Sequence, residues 1–184
     1  MPPIKVLFVC TGNQCRSPMA AALLSARLGE RGARLAVGSA GLLPGGLAPP
    51  PDVLSVMEAV GVDLSGHRST QVDAGLLDAA DLVVAMTRDH AVDLAVMHPP
   101  AWRRVFTAAD LVRRGEAAGP RDPAEPLARW VERVDGGRPR AGLLSLPSSE
   151  DVADPMGGRR REFERVRDQL AAMTARLAGL LVPA

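Results

Sequence analysis

Residues 4–9 and 81–86 are apolar almost throughout, with Val6, Leu7, Phe8 and Val9 in the first run and Leu82, Val83, Val84 and Ala85 in the second. Neither run alternates polar with apolar positions. A strand that reads this way has to be covered on both faces, which is the condition of a parallel sheet between helical layers. Residues 34–39 and 104–106 give two further strand patterns. Helical periodicity fills the intervals. Ser17 is expected as an N-cap with Pro18 at the first helical position, and Met19, Leu23 and Leu28 carry a helix to about Glu30. Val53, Val56, Met57 and Val60 line one face over 52–60, and Gly61 closes it. Further helices are expected over 73–80, 89–97, 108–114 and 126–134, and a strongly periodic one over 159–181. Strands alternating with helices imply βαβ units, a parallel sheet and ligand binding at the carboxyl ends of its strands.

The rest of the sequence narrows the class. The 184 residues suit one domain, 1–184, with a probable Gly-, Pro- and Arg-rich insertion at 115–149. A net charge of +1 argues against a nucleic-acid partner. No apolar run approaches the ~20 residues of a membrane span. The short apolar start does not suit a secretory signal, so a cytoplasmic protein is expected. His67, His90 and His98 form no metal-ligand spacing with each other or with the cysteines, so no metal and no other cofactor are expected. The two cysteines, Cys10 and Cys15, lie too close for an effective structural crosslink. Chemistry is the better reason for them.

That chemistry sits in Cys10-Thr11-Gly12-Asn13-Gln14-Cys15-Arg16-Ser17-Pro18, between the first strand and the first helix. A loop winding onto a helix N-terminus turns backbone N–H groups inward and makes an anion cradle. Gly12 is expected to supply unusual φ and close approach, and Asn13 tolerates a left-handed conformation. Arg16 returns a planar fork suited to phosphoryl oxygens. Cys10 at the loop entrance faces this positive environment, which favours its thiolate, and Ser17 can donate a hydroxyl to the sulfur. Binding a tetrahedral anion above an activated thiol is what phosphoryl transfer to sulfur requires. Asp154, held before Pro155, is the expected proton donor to the leaving group, with Asp151 and Glu150 as alternatives. Taken from its spacing alone, Asp154 reads as a turn aspartate before proline, and it is the cysteine loop that points to the acid role.

These residues resemble the low-molecular-weight protein tyrosine phosphatase family. Ser39-Ala40-Gly41, the stretches 61–69 and 80–87, and Asp151-Val152-Ala153-Asp154-Pro155 resemble it too, so the similarity spans nearly all of the chain outside 115–149. The resemblance implies an α/β fold of three layers, with a four-stranded parallel sheet flanked by helices on both faces. It implies Cys10 as nucleophile, Arg16 as phosphate clamp and Asp154 as general acid, then base. Thr11, Gly12, Asn13, Gln14, Cys15, Arg16 and Ser17 would hold the phosphate. Asn13, Ser17, Ser39 and His67 would support the loop, and Cys15 would be able to pair with Cys10 under oxidation. The implied substrate is a phosphorylated protein side chain or a small phosphorylated molecule. Phosphotyrosine is the first expectation and phosphoarginine the second, and the implied reaction passes through a phosphocysteine.

Three departures bear on the substrate. Tyrosine-directed members of the family carry aromatic residues after the Asp-Pro pair and often after Ser-Ala-Gly, where this chain has Met156-Gly157 and Leu42-Leu43. The chain has no tyrosine, so an aromatic clamp is missing or comes from Trp102 or Trp130. Gln14 replaces the aliphatic residue of the tyrosine-directed members and the threonine of the bacterial protein-arginine phosphatases. Arsenate reduction with an external small thiol is the alternative activity on the same fold.

Overall fold

The computed structural model describes residues 4–32 and 35–183. Four parallel strands form one sheet in the order β2-β1-β3-β4. They are β1 (Ile4–Cys10), β2 (Leu35–Gly41), β3 (Leu82–Ala85) and β4 (Val105–Thr107). Helices α1 (Arg16–Leu28), α2 (Pro51–Glu58), α3 (Ala74–Ala79), α4 (Arg88–Met97), α5 (Ala108–Ala118), α6 (Leu127–Asp135) and α7 (Arg160–Leu181) follow in chain order. This is the expected α/β architecture. Arg34, expected to open the second strand, lies outside the described residues.

The near-continuous apolar runs are explained by two separate cores. Val6, Phe8 and Cys10 of β1, with Leu82 and Val84 of β3, face a core shared with α1, α2, α5, α6 and α7. Leu7 and Val9, with Val83 and Ala85, face a second core under α3 and α4. Successive residues point to opposite faces, so both parities must be apolar where both faces are covered. Edge strand β2 pairs with β1 along its length and otherwise makes one bridge among the described residues, from Gly41 to Gln71, and its first five residues are half-buried or exposed.

In α1, Met19, Ala20, Leu24 and Leu28 are buried and pack toward α7, whose Phe163, Val166, Leu170, Leu177 and Leu181 recur at helical spacing. Helix α5 runs to Ala118, four residues beyond the expected end, on Thr107 as a cap whose hydroxyl accepts from Asp110 N at 3.2 Å. Among the described residues no helix is long and apolar enough to cross a membrane.

The strand order places a switch point between β1 and β3, since the chain leaves β1 to one side and reaches β3 on the other. Loops that leave the carboxyl ends of these two strands therefore diverge and open a crevice. Residues 11–15 follow β1 there, and Met86 with Thr87 follow β3.

Candidate active site

The loop after β1 is held by its own side chains. Asn13 is the one described non-glycine residue with positive φ, at 52°. Four bonds pin it. Its Nδ2 donates to Ser17 Oγ at 2.9 Å and to Ser39 Oγ at 2.8 Å. Its Oδ1 accepts from Thr70 N at 2.8 Å, and its carbonyl oxygen accepts from His67 Nε2 at 2.7 Å. The structure thus brings Asn13, Ser17, Ser39 and His67 together around the loop's back wall.

Two local expectations are corrected. Gly12 has no positive φ, and a Cβ there would meet open space. The glycine required by close approach is Gly41, at the end of β2. A Cβ on it would lie 2.7 Å from Asn13 N and 2.8 Å from Thr11 O. This proximity lets Leu42 N donate to Cys10 O at 3.1 Å and Leu43 N donate to Thr11 O at 2.9 Å. Nor is Ser17 the N-cap. Helix α1 begins at Arg16 with Cys15 at the cap position and no side-chain cap bond, and Pro18 is its third residue. Proline is tolerated there because a first-turn N–H has no intrahelical partner to lose.

The missing cap has a consequence for the loop. Among the described residues, none of the backbone N–H groups of residues 11–16 donates to a protein acceptor. Buried backbone donors are rarely left unpaired, so a run of open N–H groups leading into a helix N-terminus has the chemistry of an anion site.

Cys10 is 2% exposed, and its Sγ lies 3.0 Å from Ser17 Oγ. Ser17 has one proton and two places to send it, the sulfur or Ala40 O at 3.2 Å. It can therefore serve a thiolate without being rebuilt. Cys15 behaves differently. Burial, then the neighbouring Cys10 and Asp154, push its thiol up to about 12 against the opposing charge of Arg16, so it stays protonated near neutral pH.

Arg16 is 5% exposed, and both terminal nitrogens of its fork have partners. Nη1 donates to Val152 O at 3.2 Å, and Nη2 donates to Thr11 Oγ1 at 3.1 Å and Asp154 Oδ2 at 2.7 Å. Buried Val152 anchors the segment that carries Asp154, because its N–H donates to Met86 O at 2.9 Å beyond β3. Asp154 Oδ1 accepts from Met156 N at 3.1 Å, and its side chain is 46% exposed. Asp151 is turned elsewhere, its Oδ1 accepting the Arg88 N–H that opens α4, at 2.7 Å. Glu150 ends a 3-10 turn, Ser148–Glu150, and is not among the hydrogen-bond partners of Arg16. Gln14, within the loop, is half-buried.

His90 belongs to this constellation and sequence reasoning passed over it. Its Nε2 lies 2.9 Å from Thr11 Oγ1. Burial first, then the charge of Arg16, hold its imidazole at about 4, so it is neutral near pH 7. Its 79-residue separation from Thr11 leaves no local pattern to read. Among the described residues no three His, Cys, Asp or Glu side chains converge as a metal site.

Trp102 and Trp130 supply no wall at the mouth. Trp130 is fully buried and donates from Nε1 to Gly119 O at 3.0 Å. Trp102 lies in the 3-10 turn Pro99–Arg104 ahead of β4, at the amino end of the sheet, with Arg103 stacked 4.5 Å from its ring. Phe8, Phe106 and Phe163 are buried. Leu43, whose N–H reaches Thr11 O, and Met156, whose N–H reaches Asp154, are exposed.

Comparison with known proteins sets this geometry in context. The profile of the low molecular weight phosphotyrosine protein phosphatase family matches residues 5–129. A protein-arginine-phosphatase of Geobacillus stearothermophilus is 32% identical over 180 residues, covering 97% of each chain. An arsenate reductase of Bacillus subtilis is 39% identical over 99 residues, 54% of this chain and 67% of its own. Among solved structures, a mutant of the arginine phosphatase YwlE with a phosphorylated active-site serine aligns with a TM-score of 0.72 at 27% identity, covering 95% of this chain and 93% of that one.

Proposed function

The chain belongs to the low molecular weight phosphotyrosine protein phosphatase family, and on that premise we propose that it dephosphorylates arginine side chains of proteins through a phosphocysteine on Cys10. The observation that carries the chemistry is the set of open N–H groups of residues 11–16 around a thiol already served by Ser17. A phosphoryl group seated there receives those donors and the Arg16 fork on its equatorial oxygens. Preorganised donors of this kind are the largest contribution to such a reaction.

In the first step the Cys10 thiolate attacks phosphorus in line. The S–P bond forms as the P–N bond breaks, and protonated Asp154 gives its proton to the departing guanidino nitrogen. In the second step the Asp154 carboxylate takes a proton from water. The water oxygen bonds to phosphorus, the S–P bond breaks, and the Ser17 hydroxyl receives the returning thiolate. The Arg16–Asp154 contact of 2.7 Å has to open on substrate binding. The incoming dianion takes over the guanidinium, which releases the Asp154 carboxyl to face the leaving group.

The substrate assignment reverses the order expected from sequence, and the aromatic residues support the reversal. A phosphotyrosine ring calls for aromatic or broad apolar walls. All five Phe and Trp residues of the chain are spent in the cores or at the amino end of the sheet. A guanidino group instead presents N–H donors, which the carbonyl oxygen of the protonated Asp154 carboxyl and the Gln14 amide oxygen are suited to accept. The arginine phosphatase relative matches along 97% of its length, whereas the arsenate reductase matches over little more than half of this chain. The sequence holds no third cysteine for an internal thiol relay.

The test is kcat/KM on two peptides of one sequence, one carrying phosphoarginine and the other phosphotyrosine. A preference of at least ~10-fold for phosphoarginine is expected, the scale of one well-placed polar contact. A reversed ratio overturns the substrate. Cys10→Ser should lose turnover of both peptides and still bind inorganic phosphate. Retained turnover would overturn the mechanism.

A further inference from the structure

Thr11 Oγ1 has two partners among the described residues, Arg16 Nη2 at 3.1 Å and His90 Nε2 at 2.9 Å. A guanidinium only donates, so the hydroxyl accepts from Arg16. The hydroxyl's own proton then has one acceptor within reach, Nε2 of the imidazole. Taking that bond requires a neutral ring with its proton on Nδ1, a buried nitrogen that has no hydrogen-bond partner among the described residues. The burial of His90 and the nearby positive charge of Arg16 keep the ring neutral, against the weaker pull of Asp154 and Asp89. Helix α4 fixes the ring from behind. His90 sits in its first turn, with its N–H donating to Thr87 Oγ1 at 3.2 Å.

We propose that His90 is a positioning residue for the phosphoryl clamp: by accepting the Thr11 proton it turns the Thr11 lone pairs onto Arg16 and sets the guanidinium across the loop before the anion arrives. The inference rests on the reading of this loop as a phosphoryl site. The need for such a device follows from the other partner of Nη2. Asp154 is half-exposed and must leave Arg16 to handle protons. Once it leaves, Thr11 is the one protein acceptor that Nη2 keeps, and Val152 O holds Nη1. His90 touches neither the substrate nor the reacting atoms. It acts through Thr11, across the gap between the loop after β1 and the start of α4.

Four variants test this: His90→Phe, His90→Gln, Thr11→Val, and the His90→Phe/Thr11→Val double variant. Each is assayed for kcat and KM on p-nitrophenyl phosphate and for inorganic phosphate affinity by calorimetry, with thermal unfolding to establish that it is folded. His90→Phe keeps a ring and removes the acceptor, so phosphate affinity and kcat/KM should each fall about tenfold. His90→Gln keeps an amide oxygen that can accept from Thr11, and should recover to within about threefold of the parent. In the Thr11→Val background, His90→Phe should add less than about twofold, because residues acting through one contact are not additive.

A folded His90→Phe protein with unchanged phosphate affinity overturns the proposal. A further full loss in the Thr11→Val background does the same, since it assigns His90 to packing. If His90→Phe does not fold, His90→Gln and Thr11→Val decide: recovery in the first with loss in the second supports the role, and any other pairing overturns it. A parent protein that binds phosphate but hydrolyses nothing defeats the phosphatase reading, and the affinity comparison still decides the role of His90.

Discussion

Asp154 Oδ2 contacts Arg16 at 2.7 Å, while Asp151 Oδ1 takes the first N–H of α4 at the same distance. The two carboxylates are three residues apart and were both open as proton donors from sequence. Removing each should therefore have a separate effect. Asp154→Asn keeps the shape and removes the transferable proton, so turnover of an aryl phosphate should fall by ~100-fold or more. Asp151→Ala should leave turnover within a few-fold and cost roughly 0.5–2 kcal/mol of stability, the scale of a lost helix cap. Steady-state rates and urea unfolding on both variants check this. A slow Asp151→Ala with a fast Asp154→Asn would exchange their roles. Cys10 and Arg16 are legible as candidates because they fall in a short motif whose spacing matches a chemical task, and Asp154 becomes one only because that loop needs a proton donor. His90 is not legible, since a histidine that meets Thr11 through the fold leaves nothing periodic in the chain.

At the scale of elements, the loop after β1 depends on β2 passing beside it. The Gly41 Cα approaches so closely that an added methyl would lie 2.7 Å from Asn13 N and 2.8 Å from Thr11 O, both backbone atoms that cannot rotate away. Gly41→Ala should therefore push the loop off β2, at about 1–3 kcal/mol of stability for such overpacking. The loss of phosphate affinity should exceed what unfolding alone explains. Calorimetry with inorganic phosphate on the folded variant reads this, and normal affinity would show that β2 does not shape the loop. The sequence pointed to Gly12 because a glycine inside a loop is the usual place for unusual φ. The actual constraint is a contact between two strands' ends, and Asn13 takes the left-handed position. The misplaced start of α1 has a related cause. Ser17 has the composition of an N-cap, but its hydroxyl is drawn to Cys10, Asn13 and Ala40, which leaves the helix end open for an anion.

At the scale of the molecule, residues 115–149 read as an insertion because their composition departs from the rest, yet their contacts run through both cores. Trp130 lies against Gly115, where a Cβ would come within 3.2 Å of the indole ring, and Leu143 and Leu146 join the core under α4. Arg121 N and Nε donate to Leu180 O and Leu181 O at 2.8 and 3.0 Å, capping the end of α7. Arg138 is buried over Phe106 and donates to Val105 O at 2.8 Å, so it covers backbone of the edge strand β4. Its other partners, Asp110 and Asp135, tie α5 to α6. A segment anchored in this way should unfold with the sheet rather than before it. Trp130→Ala should then cost about 3–5 kcal/mol, the range for deleting a buried aromatic side chain, and should shift one cooperative transition for the whole chain. Urea unfolding followed by far-ultraviolet circular dichroism and by amide exchange in β1 and α6 measures it. Coincident midpoints are expected. If α6 opens in a separate, earlier transition while β1 keeps its protection, residues 115–149 form an accessory unit that can be varied without disturbing the loop that carries Cys10.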